Sequence, residues 1–215
     1  MSLIWANRLE FLNGLRVTVQ LTALSMGLSI LVGALIAVAV ELGPWPVRAV
    51  ALAYVEVFRA IPLLVVLYAV YLILPVVTNI ALSSMTSAVV ALTLNVSAFC
   101  SEAFRAGIAA VPRGQWQAGR ALGMNPRAVL KRVVWPQAWR ATIPIVGSIW
   151  VGLFKDSALV SVVQAHDLMF VGLTLANSTF QYLPIYTAVA VIYIVVSYPQ
   201  ARIVDWLNCR LRVEA

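Results

Sequence analysis

The chain has 215 residues, of which 62% are hydrophobic and 11% are charged, and its net charge is +7. Soluble domains are about half apolar and about a quarter charged, so this composition excludes a soluble globular enzyme. Four stretches carry no charge at all: Val17–Val40 (24 residues), Ala60–Ser101 (42), Ala141–Phe154 (14) and Leu168–Ala201 (34). Because a bilayer-spanning helix needs about 20 mostly apolar residues, the chain is predicted to be an all-α integral membrane protein.

Apolar runs, prolines and turn residues predict five membrane-spanning helices. The predicted spans run from about Gly14 to Val40, Val47 to Leu74, Ser84 to Ala109, Trp135 to Val163 and Leu183 to Leu207. Pro75 and the polar run 78–87 are expected to separate the second span from the third, because proline cannot donate to a helix ladder. We expect the first span to stay in the protein, since it begins too late and runs too long for a signal peptide. Its small residues are expected to allow close helix packing: Gly27, Ser29, Gly33, Ala34 and Ala37.

Basic residues are concentrated on one side of the predicted bilayer. When successive connections between the spans are placed on alternate sides of the membrane, one side receives 12 Lys and Arg residues, the last of which is Arg212, and the other side receives 3. Since Lys and Arg accumulate in cytoplasmic loops, the N-terminus is predicted to lie outside and the C-terminus inside. Residues 1–13 then form an N-terminal extracytoplasmic segment. The positive charge is interpreted as a topology signal, and nucleic acid is not expected as a partner.

The largest cytoplasmic connection, residues 111–134, is predicted to form a helix–turn–helix elbow between spans 3 and 4. Gly114 breaks the chain after span 3, and a short helix over Gln115–Leu122 follows. Gly123 lies where a helix end favours a left-handed residue. Asn125-Pro126 supplies the capping side chain and first-turn proline that start another helix. An alternative interpretation is an amphipathic surface helix held by anionic lipid.

The elbow resembles the EAA loop of importer-type ABC permeases. That pattern reads E-A-A, three residues, G, nine residues, I, one residue, L-P. Here the corresponding residues fall at the same spacing: Gln117-Ala118-Gly119, Gly123, Val133 and Trp135-Pro136. Ala118, Gly123 and Pro136 are identical to the pattern, whereas Gln117, Gly119 and Trp135 depart from it. Four further runs resemble the polar amino-acid uptake subfamily: Phe58–Leu63, Glu102–Ile108, Pro136–Ala138 and Lys155–Leu159.

This resemblance implies one permease domain over residues 1–215, in the bacterial inner membrane and surrounded by membrane lipid. It also implies a cytoplasmic ABC ATPase dimer, a second permease subunit (identical or sister) and an extracytoplasmic substrate-binding protein. The chain has no G-x-x-x-x-G-K-[ST] motif, so ATP and Mg are expected on the partner ATPase and no cofactor or catalytic residue here. The residues expected to couple to the ATPase are Gly114, Gln117, Ala118, Gly119, Gly123, Met124 and Asn125.

Ionisable residues inside a bilayer are costly, so they are candidates for function. We predict that Glu102, Asp156 and Ser157 lie on the substrate path. At a rise of 1.5 Å per residue, Asp156 lies roughly 24 Å into the membrane core, where its carboxylate can accept from a substrate ammonium. Ser157 can donate to a substrate carboxylate. The structural alternatives are an ion pair with Arg105 for Glu102, and snorkelling to the outer interface for Lys155.

Two rival functions are compatible with a small membrane protein. An ion-coupled secondary carrier or channel for small polar solutes needs, in most folds, a longer chain or an internal repeat. An intramembrane enzyme or a metal protein is disfavoured because the chain has few side chains suited to catalysis or metal binding. It has one histidine, His166, and two cysteines that are distant in sequence, Cys100 and Cys209. His166 is expected to be solvated. The favoured function is the permease subunit of an ATP-binding-cassette importer for polar amino acids or close analogues.

Overall fold

The structure, a computed structural model, describes residues 5–211, and the regular elements among them are all helices. We number them α1 (Arg8–Leu42), α2 (Trp45–Ala60), α3 (Leu63–Thr78), α4 (Ser84–Ala109), α5 (Arg113–Ala121), α6 (Pro126–Val163), α7 (Leu168–Thr179) and α8 (Tyr182–Leu211). Four of them, α1, α4, α6 and α8, are long and apolar enough to cross a membrane. Helices α2 and α3 together form a fifth candidate span, which is bent by 107°. The part of the chain from 5 to 211 is therefore all-helical, with four or five candidate spans.

The two central helices, α1 and α4, run in the same direction. A Cβ added to Gly33 would lie 2.6 Å from the Cβ of Cys100, and further along both helices Glu41 Oε1 lies 3.7 Å from Arg105 Nε. Parallel neighbours need a connection that returns from one end of the bundle to the other. The segment formed by α2 and α3 is that connection, which is the geometry of one broken span.

The break between α2 and α3 is an interruption that the sequence analysis did not predict. Ile61 and Pro62 have extended backbone (ψ 130° and 137°) between two helical segments. A proline disfavours helical geometry in the residue before it, so Ile61 leaves the helix. Asn95 Nδ2 then donates to the Phe58 carbonyl at 2.8 Å, which pairs one of the acceptors left open at the helix end.

Pro75 and Pro136 lie within continuous helices instead of ending them. The sequence predicts a boundary at Pro75, but α3 continues to Thr78, and Asn79 caps it with a left-handed φ of 57°. A π-helical turn precedes each of these two prolines: Ala69–Ile73 lies before Pro75, and Leu130–Val134 lies before Pro136. The residue before the proline bonds five residues back, so the wider turn pairs the amides next to the missing proline N–H.

The small residues of α1 form its contact with α4, with one exception. Ser29 and Ala37 are fully buried, and the contact at Gly33 leaves no room for a side chain. Ala34 is partly buried against the same core. Gly27 is exposed and has no atom within 4 Å of an added Cβ. The prediction that Gly27 packs is therefore wrong within this chain.

Helix α6 runs antiparallel to α4, and α8 runs antiparallel to α6. The ring of Phe104 near the end of α4 stacks on Trp135 near the beginning of α6, with centroids 5.7 Å apart. Further along α6, Trp150 Nε1 donates to Gln200 Oε1 at 2.7 Å. The carboxyl ends of α1, α4 and α8 and the beginning of α6 consequently share one end of the bundle.

We expect Gly107→Ala to lower the melting temperature of the purified protein by several degrees. An added methyl group would overlap Thr142 Oγ1 and lie 2.8 Å from the Ala138 carbonyl oxygen on α6. Overpacking of this kind costs roughly 1–3 kcal/mol. Gly27→Ala is the matched control, because it adds the same methyl group in open space and should leave the melting temperature unchanged or slightly raised. Equal melting temperatures for the two variants would contradict the α4–α6 contact.

Candidate functional site: the elbow and the charged residues of the spans

The structure contains the elbow predicted from the sequence. Its first helix is α5, after which Gly123 adopts a left-handed φ of 73°. Asn125 then caps the next helix, its side-chain oxygen accepting from the Ala128 amide at 2.8 Å. Both local predictions, the left-handed glycine and the asparagine cap, are confirmed.

The second arm of the elbow is not a separate helix. It is the first part of α6, which continues without a break from Pro126 through the π-helical turn Leu130–Val134 into the rest of the helix. An apolar cluster fixes the elbow against α4 and α6; its buried members are Ile108, Val111, Val129, Leu130, Val134 and Ala138. Within this cluster an added Cβ at Gly119 would lie 2.9 Å from Val129 Cγ2, so the departure from alanine at this position provides room for Val129. The elbow and the beginning of α6 thus share one packed apolar cluster.

Most of the predicted coupling residues lie on the outer surface of the elbow. Gly114, Gln117, Ala118, Gly123 and Asn125 are exposed, Met124 is half-buried, and Gly119 is buried. The sequence analysis did not single out Leu122, whose exposed fraction is 81%. An apolar residue directly before a left-handed glycine is the signal that could have identified it. Leu122 therefore places an exposed apolar side chain at the tip of the elbow.

Four charged side chains from three helices meet near the same end of the bundle. The Glu102 carboxylate accepts from Arg105 Nη1, and its other oxygen lies 3.7 Å from Arg59 Nη1 on α2. Arg105 in turn contacts Glu41 of α1. The ion pair between Glu102 and Arg105, predicted as the structural alternative to a substrate-binding role, is confirmed. The further ion pairs of Arg59 with Glu102 and of Glu41 with Arg105 were not predicted from the sequence. Two acids and two bases compensate one another, which reduces the cost of placing charge near the membrane.

Asp156 and Ser157 lie on different sides of α6. Asp156 is exposed, whereas Ser157 is fully buried and its hydroxyl donates to the Phe154 carbonyl at 2.7 Å. The helix changes from α to 3-10 geometry at this point, over Ser157–Val163. Within residues 5–211, no ion pair involves Asp156. Asp156 therefore presents an exposed carboxylate next to Lys155, while Ser157 contributes to packing.

Lys155 lines a cavity between α6 and α8, which we call the α8 cavity. Its volume is about 440 Å³, and its polar lining residues are Lys155, Tyr193, Ser197 and Tyr198. Ser197 is buried and, within the described part of the chain, its hydroxyl oxygen has no hydrogen-bond partner. Since buried polar groups are nearly always paired, this hydroxyl is available for a ligand. Ser197 could not be predicted from the sequence as a residue of a binding site, because its burial depends on the packing of α8 against α6.

Asp167 caps helix α7 at the end of the bundle opposite the elbow. Its carboxylate is fully buried and accepts from the backbone amides of Met169 (3.1 Å) and Phe170 (3.0 Å). Burial raises the pKa of Asp167 to about 6, although the two amide donors act in the opposite direction. The neighbouring His166 is exposed, as the sequence predicted.

We expect Asp167 to contribute stability that is lost as the pH rises from about 4 to 6, and Asp167→Asn to remove that contribution. A carboxyl whose folded pKa lies above its unfolded value binds more protons in the folded state, so its contribution falls with pH between the two values, 3.8 and about 6. Asparagine keeps the capping oxygen and carries no charge. The check is the melting temperature of both proteins between pH 4 and 8; parallel curves would contradict the assignment.

Comparisons with known proteins agree with this architecture. Residues 29–213 match the family described as "Binding-protein-dependent transport system inner membrane component". The L-cystine transport system permease protein TcyB of Bacillus subtilis (strain 168) is 36% identical over 186 residues, covering 86% of this chain and 79% of that protein. The glutamine transport system permease protein GlnP of Escherichia coli (strain K12) is 29% identical over 213 residues, covering 99% and 97%.

Solved structures show the same fold. The chain resembles a crystal structure of an amino acid ABC transporter with a TM-score of 0.90 and 33% identity, covering 96% of both chains. It resembles an inward-facing MetNI methionine ABC transporter with a TM-score of 0.83 and 19% identity, covering 97% of this chain and 99% of that one. Taken with the apolar helices and the elbow, the family match shows that the chain belongs to the binding-protein-dependent inner membrane transport components and is a multi-pass permease subunit of an ABC importer.

Proposed function

We propose that this permease subunit forms the translocation path for polar amino acids or close analogues. The relatives are named for the transport of cystine, glutamine and other amino acids. An amino acid carries an ammonium and a carboxylate, and a path must bind both weakly enough to release them. Asp156 offers an acceptor for the ammonium. Lys155 and Ser197 of the α8 cavity offer donors for the carboxylate.

Asp156 and Glu102 have different roles in this proposal. Glu102 already forms ion pairs with two arginines at the elbow end of the bundle. It is therefore a second binding position, which the substrate occupies by competing with those arginines for the carboxylate. Asp156 lies further from the elbow along α6 and takes part in no ion pair with residues 5–211, so it binds the substrate first. Ser157 would have to break its bond to the Phe154 carbonyl before it could contact substrate, and we leave it in a packing role.

The proposed topology has five spans, with α2 and α3 together as the second. The N-terminus lies outside and the C-terminus inside, in the bacterial inner membrane, and residues 1–215 form one permease domain. The elbow, residues 111–134, lies in the cytoplasm. The extracytoplasmic segment 1–13 is already helical from Arg8, while residues 1–4 and Arg212 lie outside the described residues. The parallel direction of α1 and α4 supports this topology.

The elbow is proposed to dock onto a cytoplasmic ABC ATPase dimer that holds ATP and Mg. The observation that carries this proposal is the continuity of the elbow with α6: a force on the turn at Gly123 reaches Asp156 through one uninterrupted helix. Rigid-body movement of such an element is a common route by which one site drives another. The chain carries out no covalent chemistry. A second permease subunit completes the path, and an extracytoplasmic binding protein delivers the substrate.

A cross-linking experiment tests docking and topology together. A photo-cross-linking residue is placed at Leu122 on the elbow or at Leu183 at the opposite end; both side chains are 81% exposed. In the assembled complex we expect Leu122 to cross-link to the ATPase subunit and Leu183 not to. Cross-links to the ATPase from Leu183, or none from Leu122, would contradict the proposal.

A further inference from the structure

A second cavity lies at the elbow end of the bundle, away from Asp156 and the α8 cavity, and Glu102 is not among its lining residues. We call it the elbow cavity. It has a volume of about 660 Å³ and lies between the carboxyl end of α1 and the beginning of α6. Its apolar lining includes Val38, Ala39, Leu42, Leu130 and Trp135. This volume falls within the range of about 300–1,000 Å³ that is usual for small-molecule sites.

Two cations belong to the lining of this apolar cavity. Arg127 and Lys131 are four residues apart on one helix, so they lie on the same face. Both side chains are exposed, and neither takes part in an ion pair with any residue between 5 and 211. The other side chains lining the cavity are uncharged. The cavity therefore combines apolar walls with positive charge that no ion pair among residues 5–211 neutralises.

The position of the cavity defines the environment of its ligand. If the elbow is cytoplasmic, as proposed above, the cavity lies where the inner leaflet meets the cytoplasm. Trp45 directly follows Pro44, a lining residue, and is 80% exposed, as is typical of aromatic residues at a membrane interface. Basic pockets between spans on the cytoplasmic side are suited to anionic lipid headgroups.

We propose that the elbow cavity is a binding site for an anionic phospholipid. An acyl chain lies along Val38 and Leu42 of α1, and the headgroup phosphate binds between Arg127 and Lys131. A soluble anion would leave the apolar walls without a partner, and a neutral lipid would leave the two cations without one. An anionic phospholipid satisfies both. Because the lipid contacts α1 and the second arm of the elbow together, it would stabilise their relative position.

Lipid retention by the purified, assembled transporter complex tests this inference. The complex is equilibrated with phosphatidylglycerol and phosphatidylethanolamine, and the lipid that remains bound is measured by native mass spectrometry. We expect preferential retention of phosphatidylglycerol, reduced about 30-fold in Arg127→Gln/Lys131→Gln. Arg132→Gln is the matched control, since it removes the adjacent charge outside the cavity lining and should retain lipid as the unmodified chain does. Ala39→Phe fills the cavity with both cations in place, and should also reduce retention.

Three results would overturn the inference. The first is equal retention of the two lipids by the unmodified complex, and the second is unchanged phosphatidylglycerol in the double variant. The third is loss of the ATPase from the double variant with lipid retention unchanged, which would assign Arg127 and Lys131 to the ATPase interface. The assay measures no transport, so its failure is distinguishable from a failure of the proposed function.

Discussion

Gly123→Val is expected to reduce ATP-dependent uptake strongly while leaving the permease folded and inserted in the membrane. Gly123 has a φ of 73°, and no atom lies within 4 Å of an added Cβ, so the space around it is not the constraint. The constraint is the left-handed backbone, which costs a β-branched residue on the order of 1–3 kcal/mol. The turn would relax by moving α5 relative to α6. We expect ATPase association and uptake to fall roughly 5- to 150-fold, since each 1.4 kcal/mol corresponds to one factor of ten.

Two controls separate the backbone effect from a general loss of the elbow surface. Gly123→Asn adds a larger side chain that tolerates left-handed geometry, and should retain most of the uptake. Arg132→Gln removes a charge from the second arm without changing the turn, and should have the smaller effect. Co-purification of the ATPase and uptake into proteoliposomes are measured for all three variants. Undiminished association and uptake in Gly123→Val would refute the role of the elbow in coupling.

Asp156→Asn is expected to reduce substrate uptake roughly tenfold or more, with complex assembly and affinity for the binding protein unchanged. Asparagine keeps the shape of the side chain and removes the charge that the substrate ammonium needs. Leaving that ammonium without a charged partner costs on the order of 1–3 kcal/mol. Because Asp156 is exposed and takes part in no ion pair with residues 5–211, its neutralisation should not weaken the fold.

Glu102→Gln should behave differently from Asp156→Asn. It removes the shared partner of Arg59 and Arg105, so we expect a lower melting temperature together with reduced uptake. Asp205→Asn is the control, because Asp205 is a surface acid whose contact with Arg202 at 4.0 Å is largely exposed. Normal uptake kinetics in both Asp156→Asn and Glu102→Gln, in properly assembled complexes, would place the substrate site elsewhere or in a sister subunit.

Features that depend on local sequence could be predicted. The charge-free runs locate the long helices because a bilayer demands apolar length, whatever the tertiary packing. The turn at Gly123 and the cap at Asn125 are determined within a few residues, and both occur as expected. The candidate residues at Glu102 and Asp156 were identified from charge alone, without their surroundings.

Features that depend on contacts distant in sequence could not be predicted. The π-helical turn before Pro75 lets α3 pass a residue that ends most helices. Asn95, far along the chain, pairs the open carbonyl at the break after Ala60. Ser157 is buried in the 3-10 segment Ser157–Val163, which packs against α1, α3, α4 and α7, and the α8 cavity exists only once α8 has packed against α6.

Uptake by the assembled complex in proteoliposomes is the measurement that tests the central claim most directly. The permease, its ATPase and its binding protein are reconstituted together, and amino-acid uptake is recorded with internal or external ATP and with ionophores that collapse ion gradients. The account predicts uptake that requires this chain and ATP on the ATPase side and that persists in the presence of ionophores. Uptake that proceeds without ATP and stops when the ion gradients collapse would contradict it and identify an ion-coupled carrier.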